Sequence, residues 1–210
     1  MSYLAMKQNE NPGLLITFCG LDGSGKTTMM KMLLDDIKKE KMVYVTKQPT
    51  NKVRESTIFR TYMDTPNHEA FDYRSLSLLA ASDRLQHIKH EIEPALRLGH
   101  PVFSDRYFYS CLANLHARGY DSDQWIYDIA QHIIKPDVSF FFDIPVEIAI
   151  ERVRSRENEK NRYIDIDLQY KLREEYQKIC AANNGILIST EQPIAKCYEI
   201  VKKEFERVKK

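Results

Sequence analysis

Two hydrophobic rhythms alternate along this chain. Leu14-Leu15-Ile16-Thr17-Phe18-Cys19 is a near-continuous apolar run, as expected of a strand covered on both faces. A helical spacing follows, with Met29, Met30, Leu33, Leu34 and Ile37 recurring on one side of Lys26 to Glu40. The pattern then predicts a strand over Met42 to Thr46. A long helix is predicted from Tyr73 to Leu98, with Leu76, Leu79, Ala80, Leu85, Ile88 and Ile92 on or near one face. Pro94 is placed to kink that helix and Gly99 to close it. Val102-Phe103-Ser104 reads as a strand ending at Asp105. Tyr107 to Arg118 and Asp123 to Ile134 read as helices, Val138 to Ile144 and Ile186 to Ser189 as strands, and Gln192 to Lys209 as a terminal amphipathic helix. Strands alternating with helices specify βαβ units, hence an α/β fold with a parallel five-stranded sheet flanked by helices. The stretch 152–164 breaks the pattern: it is dense in charge and poor in apolar residues, which suits a small mobile lid.

Composition narrows the function. Two hundred and ten residues fit one domain spanning 1–210, and 43% hydrophobic with 29% charged residues is ordinary for a globular chain. Thirty-one basic side chains against 30 acidic ones leave a net charge of +1, which argues against a general nucleic-acid binder. The longest apolar stretch, Val138 to Ile150, is interrupted by Asp143, Pro145 and Glu147, so no membrane span is expected. The first twelve residues carry no apolar signal region. Cys19, Cys111, Cys180 and Cys197 lie far apart. Zinc ribbons and dithiol redox motifs are therefore disfavoured, and reduced thiols in a cytoplasmic protein are expected.

Three of only seven glycines fall within six positions, in Gly20-Leu21-Asp22-Gly23-Ser24-Gly25-Lys26-Thr27. This is G-x-x-x-x-G-K-[ST], set between an apolar strand and a helix as that motif requires. Such glycines let successive backbone N–H groups face one concavity that binds phosphate oxygens. The following helix adds its positive end. Lys26 can reach the outer phosphates and the Thr27 hydroxyl can ligate Mg²⁺. A guanine-reading N-K-x-D is absent: Asn51-Lys52 runs on into Val53-Arg54. The compact size and the charged lid favour a kinase of a small substrate over a GTPase switch.

Further motifs follow in order: Leu78-Leu79-Ala80-Ala81-Ser82-Asp83-Arg84, Pro94-Ala95-Leu96 with Gly99, Asp105-Arg106-Tyr107, Asp143-Ile144-Pro145, then Arg152, Arg156 and Asn161-Arg162-Tyr163. In this series, from Leu14 to the C-terminus, the chain resembles the thymidylate kinase family of P-loop nucleoside-monophosphate kinases. The resemblance implies transfer of the ATP γ-phosphate to a nucleoside 5′-monophosphate with Mg²⁺, deoxythymidylate being the family default. It implies ATP binding by the loop residues through Thr28, with Arg152 and Arg162 closing over the nucleotide. It implies catalytic roles for Lys26, Arg106, Arg156 and Asp22, acceptor contacts from Asp22, Lys47, Arg84, Arg106 and Asn114, and Mg²⁺ held by Thr27 and Asp105. A homodimer through the long helix is implied as well. Glycine at position 23 fits the branch of the family that takes a catalytic cation from the lid, with Arg156 first and Arg152 second in line. His87 and His90 are expected at the surface or facing a partner, and Trp125 in packing.

The departures cluster on the base pocket. Ala80 stands where the family has a phenylalanine that stacks on thymine. Asn114 and Leu115 replace an aromatic and a polar residue, and Asn114 is small enough to hydrogen-bond a ribose hydroxyl. Lys47-Gln48-Pro49 replaces R-E-P, and Asn161-Arg162-Tyr163-Ile164 replaces D-R-x-E. Phe71, Tyr73 and Phe108 are candidates to supply a stack from another angle. Two rival readings follow: a kinase of a different nucleotide or nucleotide-like acceptor, or a regulatory ATP-binding protein without turnover.

Overall fold

The computed structural model describes residues 2–39, 41–64 and 71–209. Five strands, β1 (Leu15–Gly20), β2 (Tyr44–Lys47), β3 (Val102–Asp105), β4 (Val138–Asp143) and β5 (Ile186–Ser189), form one sheet in the order β2-β3-β1-β4-β5. All four pairings are parallel. Parallel neighbours need crossovers, and the helices between strands supply them. β1 sits in the middle, buried at all six residues. Its side chains alternate between two apolar cores. Leu15 and Cys19 face one that includes Leu112 and Tyr176, while Ile16 and Phe18 face another that includes Leu33, Phe140 and Phe205. That period of two explains why both faces of this strand are apolar.

Helix α1 (Lys26–Ile37) follows β1 through the glycine loop. Two short helices, α2 (Asn51–Arg54) and α3 (Thr57–Asp64), lie where no element is predicted. Helix α4 (Tyr73–His87) continues through a π turn at Ile88–Ile92 into α5 (Glu93–Arg97). The predicted helix is thus re-registered one turn ahead of Pro94, whose missing N–H breaks the regular ladder. Helices α6 (Phe108–His116) and α7 (Trp125–Ala130) are shorter than their predicted counterparts. Helix α8 (Val146–Arg154) carries regular structure into the predicted lid, which then holds a single 3₁₀ turn at Glu157–Glu159. Helix α9 (Ile166–Ala182) has no counterpart in the sequence reading, although it buries Leu172, Tyr176, Ile179 and Cys180 at helical spacing. Helix α10 (Ile194–Val208) closes the fold.

One expectation is overturned. His87 is buried, not at the surface: Nε2 lies 2.8 Å from Thr46 Oγ1 and Nδ1 lies 3.0 Å from Gln48 Nε2. The ring ties α4 to the end of β2, and burial pushes its pKa below the ordinary histidine value. His90 is exposed as expected. Trp125 packs against the larger core and donates its indole N–H to Asp123. No helix among the described residues is long and apolar enough to cross a membrane.

Candidate active site

The carboxyl ends of β1 and β3 deliver two segments to one cleft of about 710 Å³, which Lys47 and Pro49 at the end of β2 also line. This is the edge where open parallel sheets bind ligands. The first segment is the glycine loop. Gly23 has φ 83°, and a Cβ there would stand 2.3 Å from the Ala149 carbonyl oxygen of α8. Position 23 therefore demands glycine on conformation and on space. Gly25, at φ 90°, caps α1 without any side-chain hydrogen bond, so the first amides of that helix remain available to a ligand. Lys26 is buried and its Nζ donates to the Leu21 carbonyl at 2.6 Å. Burial, aided by the nearby Arg106 charge, lowers its pKa to about 8. Thr27 and Thr28 are exposed along the cleft.

The second segment is Asp105-Arg106-Tyr107. Arg106 adopts φ 66°, a left-handed conformation rare outside glycine. The backbone is held there by its N–H to the Phe18 carbonyl at 2.9 Å and by Ser104 Oγ donating to its own carbonyl at 2.6 Å. The turn sends the guanidinium back over the glycine loop. Nη1 donates to Gly20 O at 3.2 Å and to Tyr176 Oη at 2.9 Å, and Nη2 donates to Asp22 at 2.5 Å. Asp22 gathers further cations, with Arg162 at 3.2 Å and Lys26 at 3.9 Å. Arg106 above all holds its carboxyl far below the usual carboxylate range. Asp105 Oδ2 lies 3.6 Å from Lys47 Nζ, while its buried Oδ1 has no hydrogen-bond partner among the described residues.

Charge dominates the whole lining. Nine Lys and Arg side chains (Lys26, Lys47, Arg54, Arg60, Arg84, Arg106, Arg118, Arg156 and Arg162) face four acidic ones. Such a surplus in a walled cleft attracts polyanions. Of the predicted site residues, Leu21, Asp22, Gly23, Gly25, Lys26, Thr27, Thr28, Lys47, Arg84, Asp105, Arg106, Asn114, Arg156 and Arg162 line it. Gly20 and Ser24, also in the loop, are buried and do not line the cleft. Arg152 stands outside, its guanidinium 3.5 Å from Gly23 O and 3.3 Å from Thr190 O, where it braces the loop against the turn after β5.

Several lining residues escaped the sequence reading. Arg54 lies five residues past Gln48-Pro49, its Nε donating to Pro49 O at 2.8 Å. Tyr176 stands on the unpredicted helix α9. Arg118 falls one helical turn after Asn114, a spacing that links the two in the sequence itself. The aromatic candidates separate clearly: Phe108 is buried in the core, Phe71 packs edge-on against Tyr62, and only Tyr73 lines the cleft. Asn114 lines the cleft with its amide held in place: one Nδ2 hydrogen goes to Ser110 O at 2.9 Å and Oδ1 accepts from Arg118 at 2.9 Å, which leaves a second N–H and a second lone pair.

A parallel sheet, a phosphate cradle at its central strand and a cationic cleft beside it define a P-loop phosphotransferase. The sequence model of the thymidylate kinase family matches residues 18–201. A probable thymidylate kinase of Thermococcus kodakarensis is 36% identical over 172 residues, covering 79% of this chain and 83% of that protein. The thymidylate kinase of Sulfurihydrogenibium sp. is 34% identical over 200 residues, covering 90% and 95%. That of Ureaplasma parvum is 33% identical over 180 residues, covering 82% and 78%. The chain belongs to the thymidylate kinase family and is an ATP-dependent nucleoside-monophosphate kinase of that type.

Proposed function

We propose that the protein transfers the γ-phosphate of ATP to deoxythymidine 5′-monophosphate, giving the diphosphate and ADP. A 5′-phosphate oxygen of the acceptor forms the new bond to the γ-phosphorus as the bond to the β–γ bridging oxygen breaks. Such a transfer needs alignment and charge stabilisation and no covalent nucleophile. The observation that carries the reading is the position of Arg106. Its planar fork reaches the glycine loop, Asp22 and Tyr176 from the end of β3, at the junction of the donor and acceptor halves of the cleft. A guanidinium there can hold an acceptor phosphate bidentately while facing the incoming γ-phosphate.

The remaining roles follow from where charge must be met. Lys26 and the amides of residues 20–28 hold the donor phosphates, and Arg156 and Arg162 close from the lid over residues 152–164, excluding water. Arg152 acts at one remove, by bracing the loop on which ATP rests. Asp22 offsets the mutual repulsion of Arg106 and Lys26 and keeps both oriented. Lys47 and Arg84 serve the acceptor side. Mg²⁺ fits the residues present: the unpartnered Asp105 Oδ1 and the exposed Thr27 hydroxyl are hard oxygen donors that suit an ion retaining much of its water. When bound, Mg²⁺ supplies charge neutralisation on the transferring phosphates. The proposal extends to one domain, to a cytoplasmic enzyme with four buried free thiols, and to a homodimer through α4, where Leu78 is half exposed.

One observation favours a second reading, in which the preferred acceptor carries another base: Ala80 offers no ring, and Tyr73, the aromatic of the three candidates that lines the cleft, is covered by Arg118. Release of ADP from ATP, measured against a panel of nucleoside monophosphates, nucleosides and no acceptor, decides between them. The highest kcat/KM is expected with deoxythymidine 5′-monophosphate. A different preferred acceptor installs the second reading, and no transfer to any monophosphate overturns both.

A further inference from the structure

Arg106 is anchored at three points, and they are not alike. Asp22 offers a carboxylate and Gly20 a loop carbonyl. The third anchor, Tyr176, comes from α9, 70 positions away in sequence. Its ring is buried and packs at 60° to Phe141 with centroids 6.4 Å apart, so the core fixes where the hydroxyl sits. The same residue lines the cleft. Oη accepts from Arg106 Nη1 at 2.9 Å and donates to Ser110 Oγ at 3.0 Å. One lone pair therefore faces the cation, and the proton faces the first turn of α6. Burial pushes the phenol pKa up, so that proton stays in place.

The consequence for Arg106 lies in its charge. Nη1 spends its two hydrogens on Gly20 O and Tyr176 Oη, and Nη2 spends one on Asp22. Nε and the second hydrogen of Nη2 have no hydrogen-bond partner among the described residues, so these two N–H groups remain for a phosphate. Every anchor that is itself an anion offsets the charge the guanidinium can lend. Asp22 already does so once. A second carboxylate at position 176 would do so again, whereas a neutral phenol orients the fork and leaves its charge in place. The left-handed backbone at φ 66° fixes where the side chain starts, and Tyr176 helps fix where it ends.

We infer that Tyr176 is a positioning residue for the transfer: its neutral hydroxyl, braced by Ser110, aims the Arg106 guanidinium at the acceptor phosphate without neutralising it. The inference rests on the kinase reading above and adds to it a residue that acts through Arg106.

A double-mutant cycle tests it. Tyr176→Phe removes one oxygen and keeps the ring that packs on Phe141. With ATP saturating, kcat/KM for deoxythymidine 5′-monophosphate should fall at least about fivefold, less than for a direct phosphate contact because the hydroxyl acts at one remove. The Kd for ATP should stay within about threefold. In an Arg106→Lys background the same change should cost less than about twofold, because the ammonium lacks the Nη1 that Tyr176 holds. A merely structural tyrosine would give losses that multiply. Tyr176→Met, whose unbranched chain adapts to irregular space, serves should the first variant fail its thermal melt. A loss below about fivefold in the single variant, losses that multiply in the double variant, or an equal loss of ATP affinity overturns the inference. Failure of the wild-type chain to release ADP overturns the kinase reading instead. Equilibrium titration of the same four proteins with deoxythymidine 5′-monophosphate then decides the inference: a loss seen only when Arg106 is present supports it, and multiplying losses refute it.

Discussion

Replacing Arg106 by lysine keeps the charge and removes the fork. The present side chain serves Gly20 O and Tyr176 Oη from Nη1 and Asp22 from Nη2, so its contacts diverge from two nitrogens. An ammonium concentrates its donors on one atom and cannot reach all three positions. Hydrogen bonds to charged groups are worth about 1.5–3 kcal/mol each. Loss of one such bond to the acceptor phosphate in the transition state therefore predicts a fall of roughly 10- to 150-fold in kcat/KM for the acceptor. ATP contacts made by the loop are untouched, so the Kd for ATP should move by less than about threefold. Coupled detection of ADP with deoxythymidine 5′-monophosphate measures the first quantity, nucleotide titration the second, and a thermal melt excludes unfolding. A variant with kcat/KM within threefold of wild type, properly folded, would refute the argument that planarity at this position matters.

Four other substitutions test three separate links. Gly23→Ala and Gly99→Ala both force alanine to positive φ, at 83° and 77°, but only position 23 adds a collision, 2.3 Å from Ala149 O. Gly99→Ala should cost about 1–2 kcal/mol and Gly23→Ala clearly more, seen as a larger drop in melting temperature; equal drops would show that the close approach to α8 is immaterial. Asp105→Asn should raise the Mg²⁺ concentration for half-maximal rate by roughly tenfold or more, and an unchanged requirement would remove Asp105 from the metal site. For His87, burial holds the folded pKa below the unfolded value. Its contribution to stability is then complete above the unfolded pKa and lost as pH falls below it. Denaturant midpoints between pH 7 and 5 should fall less steeply for His87→Gln than for wild type, and parallel slopes would rule this out.

The sheet was legible because β1 and β4 are buried on both faces and read as unbroken apolar runs, with glycine or proline nearby. Helix α9 was not, since a lid-like run of charge precedes it and its mean composition is polar. Yet Leu172, Tyr176, Ile179 and Cys180 share one face, and that spacing was the available signal. The phosphate cradle was readable from eight consecutive residues, as chemistry that depends on local backbone must be. The acceptor end was not, because Tyr73 and Arg118 meet across forty-five positions and neither belongs to a motif. His87 misled for a related reason: a polar residue on an amphipathic helix looks solvated until the strand that covers it, carrying Thr46 and Gln48, is in place.

The crowd of cations around Asp22 has a consequence for phosphate binding. With Arg106, Lys26 and Arg162 all drawn to one carboxylate, the cleft carries an anion of its own around which its cations are arranged. Incoming phosphate then competes with a tethered rival instead of organising scattered charges.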